Sequence, residues 1–505
     1  MKLSASILKE IVSTKVSVPN AHLLTLPEKV MQFGTGILLR GLPDYFIDKA
    51  NRSGIFEGRI VMVKSTDRGS GDAFGSQDGL YTLCIRGISQ GKPVSDNLIQ
   101  SAVSRVLSAS AEWEEVLKCA CNPDIRVVIS NTTEVGISLV KESVEAEPPQ
   151  SYPAKLLACL WARFSALGGA HGTGWVIIPT ELIPDNGHLL KEIVFELARF
   201  NQLPEDFMKW LDRETHFCNS LVDRIVTGMP DEDTRSKIEQ EIGYQDDLLT
   251  VCEVYRLWAI EGTLEIQKIL SFAGVDPGLV IASDIELFRE LKLRVLNGTH
   301  TLSCGLAFLA GIETVRDATR DPYMGRFMEQ LMFQEIGPSI PYPVEKEMLT
   351  NYMEEVMDRF RNPHLRHEWI KITLNYTSKI KMRCVPLLLK YYQDHGNYPR
   401  FFTLGFAGYL FFMKSVKTKE THYYGVFREK EYLIDDKMAD SFHSWWQSGP
   451  PENWAKEMLA DKNLWGADLS VLPGFEMAIT GYLRSMAEVG VAETLKELMT
   501  KNNNP

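Results

Sequence analysis

Three side chains in the apolar stretch 283–310, SDIELFRELKLRVLNGTHTLSCGLAFLA, are of a kind that a plain core helix would not choose. Lys292, Asn297 and His300 set an ammonium, an amide and an imidazole among Leu287, Phe288, Leu291, Val295 and Leu296. At about 100° per residue, Asn297 lies roughly 140° and His300 roughly 80° from Lys292, so all three share one side of a helix. Such a set can move a proton to or from a carbonyl or hydroxyl oxygen and hold the charge that develops on it. Taken singly, the lysine reads as a snorkelling side chain and the histidine as a satisfied core residue. Together, on one side of one helix, they read as a site. Ser283 and Glu286 have capping-box spacing, which predicts that the helix starts there.

The elements that must position this helix follow from periodicity. A short strand at 30–33 runs into Gly34-Thr35-Gly36-Ile37, a helix follows through 43–50, and the β-branched run 59–64 is a second strand. Strand, glycine turn, helix and strand make a βαβ unit, which implies a parallel sheet covered by helices. Gly34-x-Gly36 suits a phosphate-binding turn, although position 39 is leucine where the usual fingerprint has a third glycine; a merely structural turn is the competing reading. Asp67 stands at the end of the second strand, where an acid can accept hydrogen bonds from a ribose and disfavour a 2′-phosphate; Lys64 and Arg68 beside it could instead bind one. Further strands at 125–129 and 175–178 alternate with helices at 113–119 and 154–167, and 141–153 reads as a loop.

Beyond Ser283 the period is helical nearly to the end, including the apolar run 401–413, too short to span a bilayer and read as a buried helix. The fold class is therefore α/β: a Rossmann-like dinucleotide-binding domain over residues 1–282, followed by a mainly α-helical domain over 283–505 for substrate binding and catalysis. His364 and His367 form an H-x-x-H pair with no third ligand in reach, so no metal is expected. Lys371, Lys379, Lys381 and Arg383 could hold an anionic substrate, or be an exposed basic face.

A net charge of −12 over 505 residues argues against nucleic acid or an anionic membrane as partner. The eight cysteines are scattered, and the N-terminal MKLSASILKEIVS has no apolar signal core, so a cytoplasmic protein is expected. Composition says nothing about oligomeric state.

These residues together resemble the long-chain polyol-specific dehydrogenase/reductase family, whose mark is a helix carrying K-x-x-x-x-N-x-x-H. Lys292 to His300 matches every defined position of it. The Gly34-x-Gly36-x-x-x-Arg40 turn, Gln77-Asp78-Gly79-Leu80-Tyr81-Thr82, Thr133-Glu134, Val222-Asp223-Arg224 and Arg361-Asn362-Pro363 also look like family blocks. The resemblance implies an NAD-dependent enzyme with the dinucleotide on Gly34, Thr35, Gly36, Ile37, Arg40, Asp67, Asn131 and Glu134. It further implies Lys292 as proton donor, Asn297 and His300 on the reacting oxygen, and Lys371 and Lys379 on a small sugar-acid substrate. MQFGTGILLRGLPDYFIDKAN, RIVMVKSTDRG, QDGLYTLCIRG and HEWIKITLNYTSKIK are similar to the branch that interconverts tagaturonate and altronate in hexuronate breakdown. Fructuronate reduction and polyol 2-dehydrogenation on the same helix are the alternatives, and a non-catalytic dinucleotide sensor is the alternative of another class. Thr180-Glu181-Leu182 stands where the mannitol branch has Cys-Asp-Asn, which puts mannitol itself in doubt.

Overall fold

Five runs containing valine, isoleucine or methionine, and one two-residue edge strand, form the central sheet: β1 (Glu28–Phe33), β2 (Arg59–Lys64), β3 (Val103–Ser108), β4 (Val127–Ser130), β5 (Val176–Pro179) and β6 (His216–Phe217). All pair in parallel, in the order β3-β2-β1-β4-β5-β6. This is the doubly wound order, and its direction reverses between β1 and β4, where such sheets bind ligands beyond their carboxyl ends. Parallel strands need cover on both faces. Val30, Ile60, Met62 and Ile129 accordingly pack in one core with the helix Pro43–Arg52. Met31, Phe33, Val61, Val63 and Val128 pack in the other with the helices Trp113–Cys121, Tyr152–Leu167 and Asn186–Phe200.

The computed structural model describes residues 1–64, 71–132, 136–419 and 421–501. The chain divides into two compact units, Met1–Gly87 with Pro93–Ile285, and Ile88–Lys92 with Glu286–Pro505. The expected alternation of strand and helix up to about residue 280 omits two further sheets. One holds Val226–Gly228, Thr250–Glu253, Tyr81–Ser89 and Lys92–Gln100; the other holds Ser220–Asp223, Leu257–Glu261 and Leu279–Ala282.

The second unit is helical, as its periodicity predicts, apart from an antiparallel sheet of Lys417–Lys419, His422–Phe427 and Lys430–Ile434. The run 401–413 forms the buried helix Arg400–Phe412, packed on the helix Asn297–Leu309. Glycine permits that approach: a Cβ on Gly405 would lie 2.5 Å from the Leu302 carbonyl oxygen. No described helix is long and apolar enough to cross a membrane.

Candidate active site

The helix that carries Lys292 is not uniform. An α-helical turn over Glu286–Leu291 passes into a π-helical turn over Lys292–Leu296, and α-helix resumes over Asn297–Leu309. The start at Glu286 falls three residues after Ser283, later than the capping-box spacing predicts. The π-turn also revises the angles expected of a regular helix. Its bonds close from i to i+5, so Asn297 comes nearly one full turn above Lys292, with His300 one α-turn further on. The three residues form a stripe, tighter than the uniform 100° step allows. Lys292 and Asn297 are half-buried and His300 is buried. Arg294 points the other way, gripping both carboxylate oxygens of Glu290 at 2.9 and 3.0 Å and donating to the Arg383 carbonyl at 3.1 Å.

Aromatic rings and cations enclose His300. Its imidazole stacks on Phe360 at 4.4 Å and meets the edges of His367 at 5.0 Å and Trp369 at 5.9 Å. Nε2 of His300 is buried with no hydrogen-bond partner. Burial, then His367, Arg359, Arg383 and Lys379 in turn, hold its pKa well below the usual histidine range, so the ring is neutral near pH 7. His367 is pushed down as well, by burial and then by Arg359, Lys371 and Lys379.

The segment 376–384 lies against this helix at several points. The Tyr376 hydroxyl donates to the Thr301 carbonyl at 2.7 Å and accepts from the Gly305 N–H at 3.0 Å. Lys379 closes the short helix Tyr376–Lys379, half-buried, with Nζ on the Ile372 carbonyl at 2.8 Å. Another π-turn, Ile380–Cys384, follows and carries Arg383, whose guanidinium donates to Thr301 Oγ at 3.1 Å. Burial and then Arg383 lower the pKa of Lys379. Lys371 is placed differently. Its side chain is 71% exposed and its ammonium holds Glu368 at 2.7 Å. The structure thus gathers His300, Lys379, Arg383, Arg359 and His367, and leaves Lys371 at the surface. Of these, Arg359 and the tethering Tyr376 carried no signal in spacing or periodicity.

In the first unit, Gly34 and Gly36 form the turn that leaves β1 at the sheet's switch point. Gly34 has φ +126°, and a Cβ there would lie 2.9 Å from Leu39 Cδ1 and 3.0 Å from the Asn131 carbonyl oxygen. Gly36 caps the short helix Ile37–Gly41, with open space where its side chain would be. Thr35 is half-buried and Ile37 exposed, so the turn presents backbone N–H groups to an open face, a fit for a pyrophosphate. Arg40 turns inward, donating to the Leu248 carbonyl at 2.7 Å and lying over the Tyr81 ring. Asn131 directly follows β4 beside the turn, with its amide on Thr180 Oγ at 3.0 Å. Glu181 accepts from Ser130 Oγ and from the Thr132 amide and hydroxyl, bracing that loop. Asp67 and Glu134 lie outside the described residues.

A profile of the mannitol dehydrogenase Rossmann domain matches residues 28–271, and one of the mannitol dehydrogenase C-terminal domain matches 284–487. An altronate oxidoreductase of Halalkalibacterium halodurans is 36% identical over 486 residues, covering 94% of each chain. One of Bacillus subtilis is 37% identical over 480 residues, covering 94% of this chain and 96% of its own. Among solved structures, Pseudomonas fluorescens mannitol 2-dehydrogenase in ternary complex with NAD and D-mannitol superposes with TM-score 0.68 at 23% identity, covering 99% of this chain and 100% of its own. A D-sorbitol dehydrogenase in substrate-free form gives TM-score 0.77 at 19% identity, covering 98% and 100%. These two likenesses are of fold.

Proposed function

The chain belongs to the mannitol dehydrogenase family, and from that premise we propose that it is an NAD-dependent oxidoreductase interconverting D-tagaturonate and D-altronate. Two things support the choice of a sugar acid over a neutral polyol. The curated relatives at 36–37% identity are altronate oxidoreductases. Around the buried, unpartnered Nε2 of His300 stand the cations Lys379 and Arg383, neither in an ion pair among the described residues. That concentration of positive charge, in no ion pair among the described residues, beside an unpartnered ring nitrogen is the observation that carries the reading, since buried charges are ordinarily paired.

Gly34, Thr35, Gly36 and Ile37 would hold the dinucleotide, on the open face of the turn after β1. When bound, NAD supplies the hydride exchange at the substrate's carbinol carbon. The protein's own part is proton and charge management. In reduction, Lys292 donates a proton to the ketone oxygen, and in oxidation it takes the proton back. Asn297, one π-turn along the same stripe, donates a hydrogen bond to that oxygen as its charge grows. His300, kept neutral, offers Nε2 to an adjacent hydroxyl or to the same oxygen, while Phe360 and Trp369 keep water from the ring. Lys379 supplies charge for the carboxylate end. The eight cysteines, all free thiols, support the cytoplasm as the compartment.

The test is nicotinamide absorbance on mixing purified protein and NADH with tagaturonate, fructuronate or fructose. Oxidation fastest with tagaturonate is expected. Preference for fructuronate or fructose moves the substrate to that branch, and no turnover with any of the three refutes the enzyme reading.

A further inference from the structure

Lys379 and Arg383 stand four residues apart across one π-turn, both partly buried. Like charges at this spacing repel one another. Among the described residues their hydrogen-bond partners are neutral: the Ile372 carbonyl for Lys379, and Thr301 Oγ for Arg383, whose Nε is buried and unpartnered. Asp436, the acid whose charge Lys379 feels, is occupied by the Thr377 amide at 2.7 Å and the Met438 amide at 2.8 Å. Neither cation is loosely held. Thr301 donates its hydroxyl to the Asn297 carbonyl at 2.6 Å and receives Arg383, which ties the guanidinium to the same turn as Asn297 and His300. Arg294 holds the Arg383 backbone from the other side. Two fixed, adjacent cations in no ion pair among the described residues, beside a buried and unpartnered imidazole nitrogen, make a receptor suited to an anion.

We infer that Arg383, paired with Lys379, clamps the carboxylate of the sugar-acid substrate, and that Lys371 is not its anchor. A planar guanidinium matches a carboxylate edge to edge, where an ammonium gives a point charge. Lys371 already spends its ammonium on Glu368 at the surface. Arg383 therefore separates sugar acids from neutral ketoses. This rests on the sugar-acid reading above.

The experiment compares wild-type protein, Arg383→Gln and Lys371→Gln in steady-state reduction of tagaturonate by NADH, with and without added guanidinium ion. A charged hydrogen bond is worth about 1.5–3 kcal/mol, or about 10–150-fold in affinity. Arg383→Gln should raise KM for tagaturonate by about that factor, with kcat and KM for NADH little changed, and guanidinium ion should lower KM again. A purely structural arginine would not give that split or that rescue. A KM within about threefold of wild type, or a larger loss in Lys371→Gln, overturns the assignment. If Arg383→Gln does not fold, Arg383→Lys takes its place: it keeps the charge but loses the fork, and an unchanged KM in it overturns the clamp. Wild-type protein that fails to reduce tagaturonate sinks the sugar-acid reading itself, whereas normal wild-type activity with an indifferent Arg383→Gln sinks only this inference.

Discussion

Removing a single oxygen, in Tyr376→Phe, probes how the second unit holds its site together. The Tyr376 hydroxyl bonds to the Thr301 carbonyl at 2.7 Å and to the Gly305 N–H at 3.0 Å. In an undisturbed α-helix those two backbone groups bond to each other, so the hydroxyl is spliced into a rung of the helix one turn beyond His300. Only glycine allows this approach, since a Cβ at residue 305 would lie 3.0 Å from that hydroxyl. The phenylalanine ring keeps the packing against Tyr409 and Phe412, leaving in the interior the Gly305 N–H and a Thr301 carbonyl held only by the weak Cys304 thiol donor at 3.4 Å. Each orphan costs about 1–3 kcal/mol, and re-closure of the rung recovers part of it, so a net loss of about 2–3 kcal/mol is expected. For a unit of this size, that corresponds to a fall in Tm of about 4–12 °C by calorimetry. The kinetic consequence follows from sequence: Lys379 ends the helical turn that Tyr376 begins. Loosening that turn should raise KM for the sugar acid by about tenfold while KM for NADH stays put, because small displacements of a positioning group are amplified in binding. A stability change under about 0.5 kcal/mol together with unchanged KM would refute the spliced rung and the tether it implies.

Three other perturbations test separate parts of the reading. Lys292→Ala should lower turnover by about 10²–10⁴-fold with NADH affinity, followed by nicotinamide fluorescence, unaltered; near-normal turnover removes it as proton donor. Gly36→Ala meets open space, so Tm should hold while NADH affinity falls at least about tenfold; Gly34→Ala, at φ +126° against the Asn131 carbonyl, should instead destabilise the fold. Unchanged NADH affinity in Gly36→Ala would dismiss the turn as the dinucleotide site. Asp44 is fully buried, and burial pushes its carboxyl up to about 7 despite hydrogen bonds from Tyr81 and Gln32. Because the folded pKa exceeds the unfolded one, its contribution is intact below about pH 4 and is lost as pH rises through 7. Asp44→Asn should thus gain on the order of 4 kcal/mol over wild type at pH 8 and little at pH 4, and parallel pH profiles in urea titrations would contradict this.

The parts of the fold that were legible in sequence are those where one physical constraint acts alone. The four inner parallel strands announced themselves because burial on both faces demands apolar runs, whereas the edge strands Val103–Ser108 and His216–Phe217 did not. The glycine turn after β1 announced itself because only glycine takes φ +126° there. Two hairpins stayed hidden. Gln90-Gly91 and Arg428-Glu429 each reverse the chain in two residues with φ positive throughout, at 51°, 71°, 47° and 65°. That is the hairpin geometry which Asn-Gly or Asp-Gly normally signals; Gly91 alone, after glutamine, is a weak cue, and arginine with glutamate gives none. The candidate site was legible as a set of residue types and illegible as geometry. Spacing identified Lys292, Asn297 and His300 as a set, but a regular helix spreads them, and only the π-turn lines them up. Four basic residues between 371 and 383 were visible, yet nothing in their spacing separates Lys371, turned to Glu368, from Arg383, turned to Thr301.

The π-turns themselves link the fold to the site. They occur at Lys292–Leu296, Leu331–Ile336 and Ile380–Cys384. The first begins at Lys292, the proposed proton donor, and the third carries Arg383 four residues after Lys379. The second presents Glu335, which accepts the Phe401 and Phe402 amides at 2.9 and 2.6 Å and so caps the helix that packs on Asn297–Leu309. Such turns are rare in regular helices and concentrate where function needs a side chain re-aimed. An α-helical rung in place of either site turn would rotate Lys292 off the Asn297–His300 stripe, or Arg383 off Thr301. On the proposed reading, that irregularity is what converts a helix with three misplaced polar residues into a surface that would hold one oxygen and one carboxylate at once.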